Sequence, residues 1–107
     1  MKKVPCITYT KRDVTQRIAE KMSVPVSQMK QPVDALFDVL REIMSEDHRR
    51  LRIEIRNFGV FEVKPTKAKP RARNPRTNEE VYVPPRRKSH FKPGRLLREV
   101  LRQPLDS

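Results

Sequence analysis

The side chains best suited to bind a ligand lie in residues 69–80, which read KPRARNPRTNEE. This stretch carries four basic side chains and two prolines, and no large apolar residue that would anchor it in a core. Guanidinium and ammonium groups at this density bind phosphate oxygens. Pro75 has a rigid apolar ring and no N–H to desolvate, so it suits either the start of a turn or a wedge between stacked bases. From these residues alone, both interpretations of Pro75 are open.

The sequence offers no set of catalytic or metal-binding residues. Its one cysteine, Cys6, and its two isolated histidines, His48 and His90, provide neither a nucleophile with its base nor metal-ligand spacing. The two glycines, Gly59 and Gly94, are too few for a phosphate-binding loop. We therefore expect no enzyme activity, no cofactor, no metal and no small-molecule substrate.

The net charge of +12 is concentrated in one segment. Residues 63–95 hold 11 lysines and arginines against 2 acidic residues, whereas residues 1–62 hold 12 against 9. Such a local excess attracts a polyanion, which could be duplex DNA, RNA or an acidic protein surface. The RNA interpretation lacks the RNP1 and GXXG signatures and the cluster of exposed aromatic residues that single-stranded RNA requires.

The chain is predicted to be soluble and not exported. Its first ten residues, MKKVPCITYT, lack the sustained apolar run of a signal peptide, and 18 apolar residues never occur in succession. A single cysteine fits a reducing compartment, and Cys6 is better explained as an incidental surface thiol than as a redox sensor. We expect no membrane partner.

Two amphipathic helices are predicted in the first half of the chain. Thr10 provides a hydroxyl cap with Asp13 three residues later, and apolar residues at helical spacing extend the first helix over about residues 11–22. The second helix is predicted to begin near Ser27 as its cap, which places Pro32 within about the first turn, where proline is tolerated.

Extended segments and a short helix are predicted in the second half. LRIEIRN alternates apolar and charged residues, and FGVFEV continues after a turn at Asn57, with Gly59 marking a bulge or a close approach of two backbones. Two further limbs around the turn NPRTN form a hairpin with a basic tip, and the second limb leads into a last strand. RLLREVLRQ is predicted to be a helix that Pro104 ends.

This order of elements predicts an α+β domain over residues 10–107, preceded by an extension of residues 1–9. A helical body carries one three-stranded antiparallel sheet per chain, and a basic hairpin arm protrudes at about residues 64–88. The short helices and the small sheet leave apolar stripes with too little to pack against, so a second chain is predicted to cover them.

Three motifs occur in order on these elements: FGVFEV at 58–63, RARNPRT at 71–77 and FKPGRLL at 91–97. Together they resemble the HU and integration host factor family of bacterial histone-like DNA-bending proteins, over the chain from about Thr10 to Leu101. The resemblance implies an intertwined homodimer or heterodimer that bends double-stranded DNA through the minor groove with paired arms, in the bacterial cytoplasm at the nucleoid. The alternative, an RNA-binding or ribosome-associated basic protein, stays open.

The resemblance assigns the contacts with DNA first to the hairpin. Pro75 matches the intercalating residue of the family, and Arg73, Asn74 and Arg76 match its neighbours in the minor groove. Basic residues along both limbs would neutralise phosphates. The residues assigned to the DNA-binding arm are Lys64, Lys67, Lys69, Arg71, Arg73, Asn74, Pro75 and Arg76.

A second set of residues is assigned to clamp the flanking phosphates against the body. Lys92 and Gly94 resemble the family's phosphate clamp at the start of the last helix, and free N–H groups at a helix N-terminus bind phosphate in any case. Thr10 and Lys11 are assigned in the same way, whereas the charge run at residues 86–88 is equally consistent with a solvated surface. The clamp set is Thr10, Lys11, Arg56, Asn57, Arg86, Lys88, Lys92, Gly94 and Arg95.

A third set is assigned to the core of the dimer, and several positions depart from the family pattern. Asn78 stands where glycine is usual, Ala72 where glycine often precedes RNP, and Asn57 replaces a small or basic residue. Residues 1–9 exceed the family norm and are interpreted as a loose tail in preference to an extra contact. The dimer-core set is Phe37, Leu40, Phe58, Phe61 and Phe91.

Overall fold

The computed structural model describes residues 4–106, and the side chains of Lys69 and Pro70 lie outside the described part. The chain divides after Glu46 into two compact units, the first helical and the second built on strands. The elements are α1 (Lys11–Met22), α2 (Val26–Ser45), β1 (Leu51–Ile55), β2 (Gly59–Pro65), β3 (Lys69–Arg73), β4 (Glu80–Val83), β5 (Arg87–Pro93) and α3 (Arg95–Leu101).

Helix α1 begins and ends as its sequence predicts. The side chain of Thr10 accepts a hydrogen bond from the Asp13 N–H, and the Asp13 carboxylate accepts one from the Thr10 N–H, which completes a capping box. Ser23 ends the helix in the left-handed conformation at φ 56°. The helix buries Thr15 and Ala19.

Helix α2 begins earlier than predicted. Its N-cap is Pro25, in an extended conformation and without a side-chain cap, so the prediction of Ser27 as the cap is wrong. Because the helix begins at Val26, Pro32 lies in its second turn and cannot donate the i to i−4 hydrogen bond to Gln28, so its predicted place near the first turn is also wrong. The fixed φ of Pro25 directs the chain into the helix one residue before the serine.

The second unit contains the predicted three-stranded antiparallel sheet, in the order β1-β2-β5. Its register is continuous, with Phe61 opposite both Ile53 and Phe91. Gly59 therefore marks a close approach and not a bulge. A Cβ on Gly59 would overlap the carbonyl oxygen of Lys92 and lie 2.7 Å from the ring of Phe91.

Three phenylalanines pack together in the second unit. The ring centroids of Phe61 and Phe91 are 4.8 Å apart, and Phe58 lies 5.2 Å from Phe91, in tilted geometries favoured by aromatic pairs. Phe58 nevertheless stays 45% exposed, because it follows the left-handed Asn57 in the turn between β1 and β2.

The hairpin and the last helix follow the predicted order. Strands β3 and β4 form a separate two-stranded sheet whose register shifts between Lys69 and Ala72. Helix α3 ends at Leu101, two residues before the end of the predicted helix RLLREVLRQ, which extended to the residue before Pro104. A proline disfavours helical geometry in the residue before it, and α3 ends before that restriction applies.

A single chain buries little apolar surface. Among the described residues, the buried apolar side chains are Ala19, Val33 and Val63. Large apolar side chains on α2, the β1–β2 turn and α3 stay between 39% and 66% exposed: Leu36, Phe37, Val39, Phe58, Leu96, Val100 and Leu101. Across residues 4–106, no helix combines the length and the hydropathy needed to cross a membrane.

Candidate nucleic-acid interface

The tip of the hairpin arm is a closed turn held by local hydrogen bonds. The N–H of Asn74 donates to the carbonyl oxygen of Glu79 at 2.9 Å, and the N–H of Asn78 donates to the carbonyl oxygen of Asn74 at 2.7 Å. The N–H of Arg76 donates to Asn74 Oδ1 at 2.9 Å. Asn78 adopts φ 58°, a conformation that asparagine tolerates better than most residues. These hydrogen bonds hold the turn closed from within the tip itself.

Pro75 lies exposed in this turn, directly after Asn74. Since proline has no N–H, its ring presents an apolar surface with no donor to desolvate. Arg76 is exposed beside it, whereas the guanidinium of Arg73 turns back and donates to the carbonyl oxygen of Asn78 at 3.3 Å. The tip thus combines one exposed apolar ring with basic side chains on both sides.

The basic residues assigned to the arm belong to two different pieces of structure. Arg71 and Arg73 lie on β3, and Lys67 lies in the segment before it, all exposed. Lys64 lies on β2, opposite Lys88 of β5, and so belongs to the three-stranded sheet. Lys69 is on β3 by its backbone, but its side chain lies outside the described part.

Short segments without strand geometry join the arm to the sheet. The N–H of Thr66 donates to the carbonyl oxygen of Arg86 at 2.6 Å, and the N–H of Arg86 donates to Thr66 Oγ1 at 2.8 Å. These two hydrogen bonds hold the two limbs side by side at the base. The Arg86 side chain stays exposed.

One face of the sheet carries a buried acid between two lysines. Glu62 is 6% exposed, and its two carboxylate oxygens accept from Lys64 Nζ at 2.9 Å and Lys92 Nζ at 3.1 Å. These hydrogen bonds, with that from Lys64 the stronger, outweigh desolvation and lower the pKa of Glu62 to about 2. The carboxylate therefore stays ionised at neutral pH.

Four other clamp residues of the second unit lie in the β1–β2 turn and at the start of α3. Arg56 and Asn57 are exposed in the β1–β2 turn, where Asn57 takes φ 65°. The N–H of Gly94 donates to the carbonyl oxygen of Phe58 at 2.8 Å, which ties the start of α3 to that turn. Arg95 Nε pairs with Glu99 at 3.2 Å along α3.

The clamp residues of the first unit already have partners within it. The hydroxyl and the N–H of Thr10 both donate to Asp13 Oδ2, at 2.9 Å and 2.8 Å. The backbone and then the side-chain hydrogen bond from Thr10 hold the pKa of Asp13 below its usual value. Lys11 Nζ pairs with Asp34 at 2.9 Å. A negative carboxylate thus occupies the N-terminus of α1, and the phosphate contacts assigned to Thr10 and Lys11 stay predictions.

The burial of Glu62 and its two ion pairs were not predicted from the sequence. Strand alternation places it on the same face of β2 as Lys64, but alternation predicts an exposed side chain there and gives no sign of burial. The missed signal was the lysine two residues later, since residues i and i+2 share one face of a strand. Within residues 4–106, no group of histidine, cysteine, aspartate and glutamate side chains could hold a metal ion.

Comparison with known proteins agrees with this geometry. Residues 9–102 match a family model described as bacterial DNA-binding protein. The integration host factor subunit alpha of Hydrogenovibrio crunogenus is 35% identical over 92 residues, which cover 86% of this chain and 91% of that protein. The corresponding subunit of Marinobacter nauticus is 32% identical over 90 residues, covering 84% and 86%. An Anabaena HU–DNA cocrystal structure superposes with a TM-score of 0.76 at 31% identity, covering 90% of this chain and all of that one.

Proposed function

The chain belongs to the HU and integration host factor family of bacterial DNA-binding proteins, and from this premise we propose that it bends duplex DNA as a dimer, with Pro75 of each arm inserted at a base step. It is an architectural DNA-binding protein, of a family that acts by binding and not by catalysis. The proposed functional unit is residues 10–107, with residues 1–9 as an extension. The arm was predicted at about residues 64–88, and the part of it outside the three-stranded sheet is residues 66–86. Its proposed location is the bacterial nucleoid.

The exposed ring of Pro75 at the tip of a basic hairpin is the observation that carries the proposal. Hydrogen bonds within the tip hold the turn around it, and proline has no N–H of its own, so the ring can enter a base stack without desolvating a donor on Pro75. Unstacking one base step costs a few kcal/mol, which the added phosphate contacts of the bent duplex offset. Arg76 and the exposed residues of β3 are proposed to supply those contacts along the minor groove.

The dimer is supported by the thin core of the single chain. A chain of about 100 residues normally buries well over half of the surface that it exposes when unfolded. Here Phe37 and Leu36 on α2 and Phe58 beside β2 are 39% to 51% exposed. A second chain that covered these side chains, with Leu40, Phe61 and Phe91, would complete the core. A dimer with a related chain would cover these side chains equally well, and the relatives are themselves named as an alpha subunit.

The remaining body contacts are proposed in two groups. On the second unit, Lys88, Lys92 and the β1–β2 turn are exposed and basic enough to hold flanking phosphates. On the first unit, Thr10 and Lys11 would have to exchange Asp13 and Asp34 for phosphate, so we expect their contribution to be smaller. The comparisons offer no support for RNA binding or for docking on an acidic protein.

A bending measurement tests the proposal. Duplexes of about 35 base pairs, labelled at both ends for energy transfer, would be titrated with the wild type, Pro75→Ala and Pro84→Ala at several salt concentrations. Phosphate contacts dominate affinity, so we expect Pro75→Ala to reduce the bend strongly while the Kd changes by less than about fivefold. Pro84 is an exposed proline of the same hairpin and serves as the matched control.

This titration, the same titration with an RNA duplex, and sedimentation of the free protein together give the outcomes that would refute the proposal. Equal bending by the wild type and Pro75→Ala would exclude the wedge. Binding without bending by the wild type would leave the arm as a phosphate clamp, and tighter binding to an RNA duplex would favour the RNA alternative. Sedimentation of the protein as a stable monomer at micromolar concentration would exclude the homodimer.

A further inference from the structure

The polar face of the three-stranded sheet groups side chains from both sets of predicted DNA contacts. Lys64, on β2, was assigned to the arm, and Lys92, on β5, was assigned to the clamp. Glu62 contacts both. Arg50 and Arg52 line the same recess of about 590 Å³ together with these three residues.

The two lysines are held by one carboxylate in a geometry that leaves them available. Lys64 Nζ contacts Oε2 and Lys92 Nζ contacts Oε1, so each oxygen of Glu62 has its own ammonium. An ammonium has three donors, and one hydrogen bond to Glu62 leaves two for other acceptors. The Glu62 side chain is 8% exposed, whereas those of Lys64 and Lys92 are 34% and 54% exposed. The acid is therefore covered while the bases face solvent.

Without the carboxylate, the arrangement of the two lysines would not persist. Two like charges on adjacent strands repel each other, and a lysine side chain loses much rotamer freedom when it is fixed. The ionised Glu62 between them converts this repulsion into two attractions. Glu54, on the same face of β1, provides a contrast, since its pair with Arg52 at 3.3 Å is exposed on both sides.

We propose that Glu62 is a positioning residue of the DNA-binding surface: its buried carboxylate holds Lys64 and Lys92 as a fixed pair that binds neighbouring phosphates at the foot of the arm. The inference rests on the proposed function and adds a residue that carries the wrong charge for DNA. Its consequence is that an acidic side chain increases affinity for a polyanion. Removing its charge lets the two ammonium groups separate, and their shared phosphate contact is lost.

A pair of charge-neutralising variants tests the proposal. Glu62→Gln and Glu54→Gln each raise the net charge by one on the same face, which by itself strengthens binding to DNA. We expect Glu54→Gln to bind as tightly as the wild type or slightly tighter. We expect Glu62→Gln to bind roughly fivefold more weakly near 0.1 M salt, with a slope of log K against log salt reduced by about one. A role in folding alone would not reduce that slope in a folded variant.

The opposite result is equally distinct. Folded Glu62→Gln could instead bind DNA as tightly as Glu54→Gln, with an unreduced salt slope. Glu62 would then only compete with phosphate for the two lysines, and the proposal would be wrong. The failure would also be separable from that of the proposed function, because the wild type would still bind and bend the duplex. Absence of binding by the wild type would instead refute the proposed function.

A measurement on the wild-type protein covers the case in which Glu62→Gln fails to fold. In NMR spectra of protein labelled with ¹⁵N-lysine, the ammonium groups of Lys64 and Lys92 should show restricted motion in the free protein. The ammonium group of the exposed Lys67 should be mobile. Both signals should shift when the 35-base-pair duplex is added, while the restriction persists. Ammonium groups as mobile as that of Lys67, or signals that DNA leaves unchanged, would overturn the inference.

Discussion

The three-stranded sheet and the hairpin arm are both antiparallel, but different interactions hold them in place. In the sheet, β2 pairs with β1 and β5 in a continuous register, and Phe61 packs against Phe91. In the arm, β3 pairs only with β4, the register shifts, and the ordered contacts are the hydrogen bonds of the tip and the base. The sheet is ordered by packing and the arm by local hydrogen bonds.

This difference separates stability from function along the chain. Changes in the sheet should lower the free energy of global unfolding, because packed side chains contribute to the cooperative transition. Changes in the arm should act on local order and on DNA bending, with little effect on the unfolding midpoint. Four pairs of measurements can sharpen or break this comparison.

The largest difference between the sheet and the arm is expected when an aromatic side chain is replaced by alanine and the free energy of unfolding is measured. Phe61→Ala removes a ring that contacts Phe58 and Phe91, and we expect it to lower the free energy of unfolding by roughly 3 kcal/mol. Tyr82→Ala, at a 63% exposed position on β4, should change it by less than about 0.5 kcal/mol. Urea unfolding at fixed protein concentration measures both. Similar losses at the two positions would show that the arm belongs to the cooperative core.

A smaller loss of stability is expected when alanine replaces a glycine of the sheet and so adds a methyl group. In Gly59→Ala the Cβ would overlap the Lys92 carbonyl and the Phe91 ring, which the strands can relieve only by moving apart, at roughly 2 kcal/mol. Gly94→Ala is the matched control, since its Cβ would lie 3.1 Å from the Phe58 carbonyl oxygen and needs only a slight shift. Thermal unfolding compares the two. A Gly59→Ala variant as stable as Gly94→Ala would mean that the strands are not closely packed there.

Two asparagines in the left-handed conformation give the most direct comparison. Asn57 (φ 65°) lies in the β1–β2 turn and Asn78 (φ 58°) lies in the tip. Replacement by alanine costs about 1 kcal/mol wherever that conformation must be kept. We expect the free energy of global unfolding to fall by this amount for Asn57→Ala and not for Asn78→Ala. Asn78→Ala should leave the midpoint unchanged and accelerate amide hydrogen exchange at the tip, and glycine should restore both sites.

The last comparison concerns how the free energy of unfolding depends on pH. The pKa of Glu62 is lowered from 4.5 to about 2, so its contribution to stability is present above pH 4.5 and is lost as the pH falls towards 2. The free energy of unfolding of Glu62→Gln should therefore depend less on pH than that of the wild type over this interval. Glu79→Gln, in the turn of the arm, controls for the loss of one carboxylate. Parallel curves for the wild type and Glu62→Gln would contradict the ion pairs with Lys64 and Lys92.

The sequence predicts the elements that depend on local pattern. The capping box of α1, the alternation of β1 and the basic hairpin were all found because neighbouring residues suffice to specify them. The start of α2 was misplaced because Pro25 and Ser27 both favour a helix start, and only the folded backbone decides between them. The pair of Glu62 with Lys64 had a local signal in the spacing of two residues, but its pair with Lys92 joins residues thirty positions apart, and only the strand register brings them together.

The two segments that join the arm to the sheet should make the protein sensitive to proteolysis at the base of the arm. Residues 66–68 and 84–86 have no strand geometry, and they include the exposed Lys67 and Arg86. A trypsin-like protease needs an extended, accessible segment with such a residue, so we expect the first cleavages there. Bound DNA would cover these sites, and the free protein would be clipped first. The cleaved protein would keep its packed sheet and lose its arm. The fraction of the protein that can bend DNA would then fall without any unfolding.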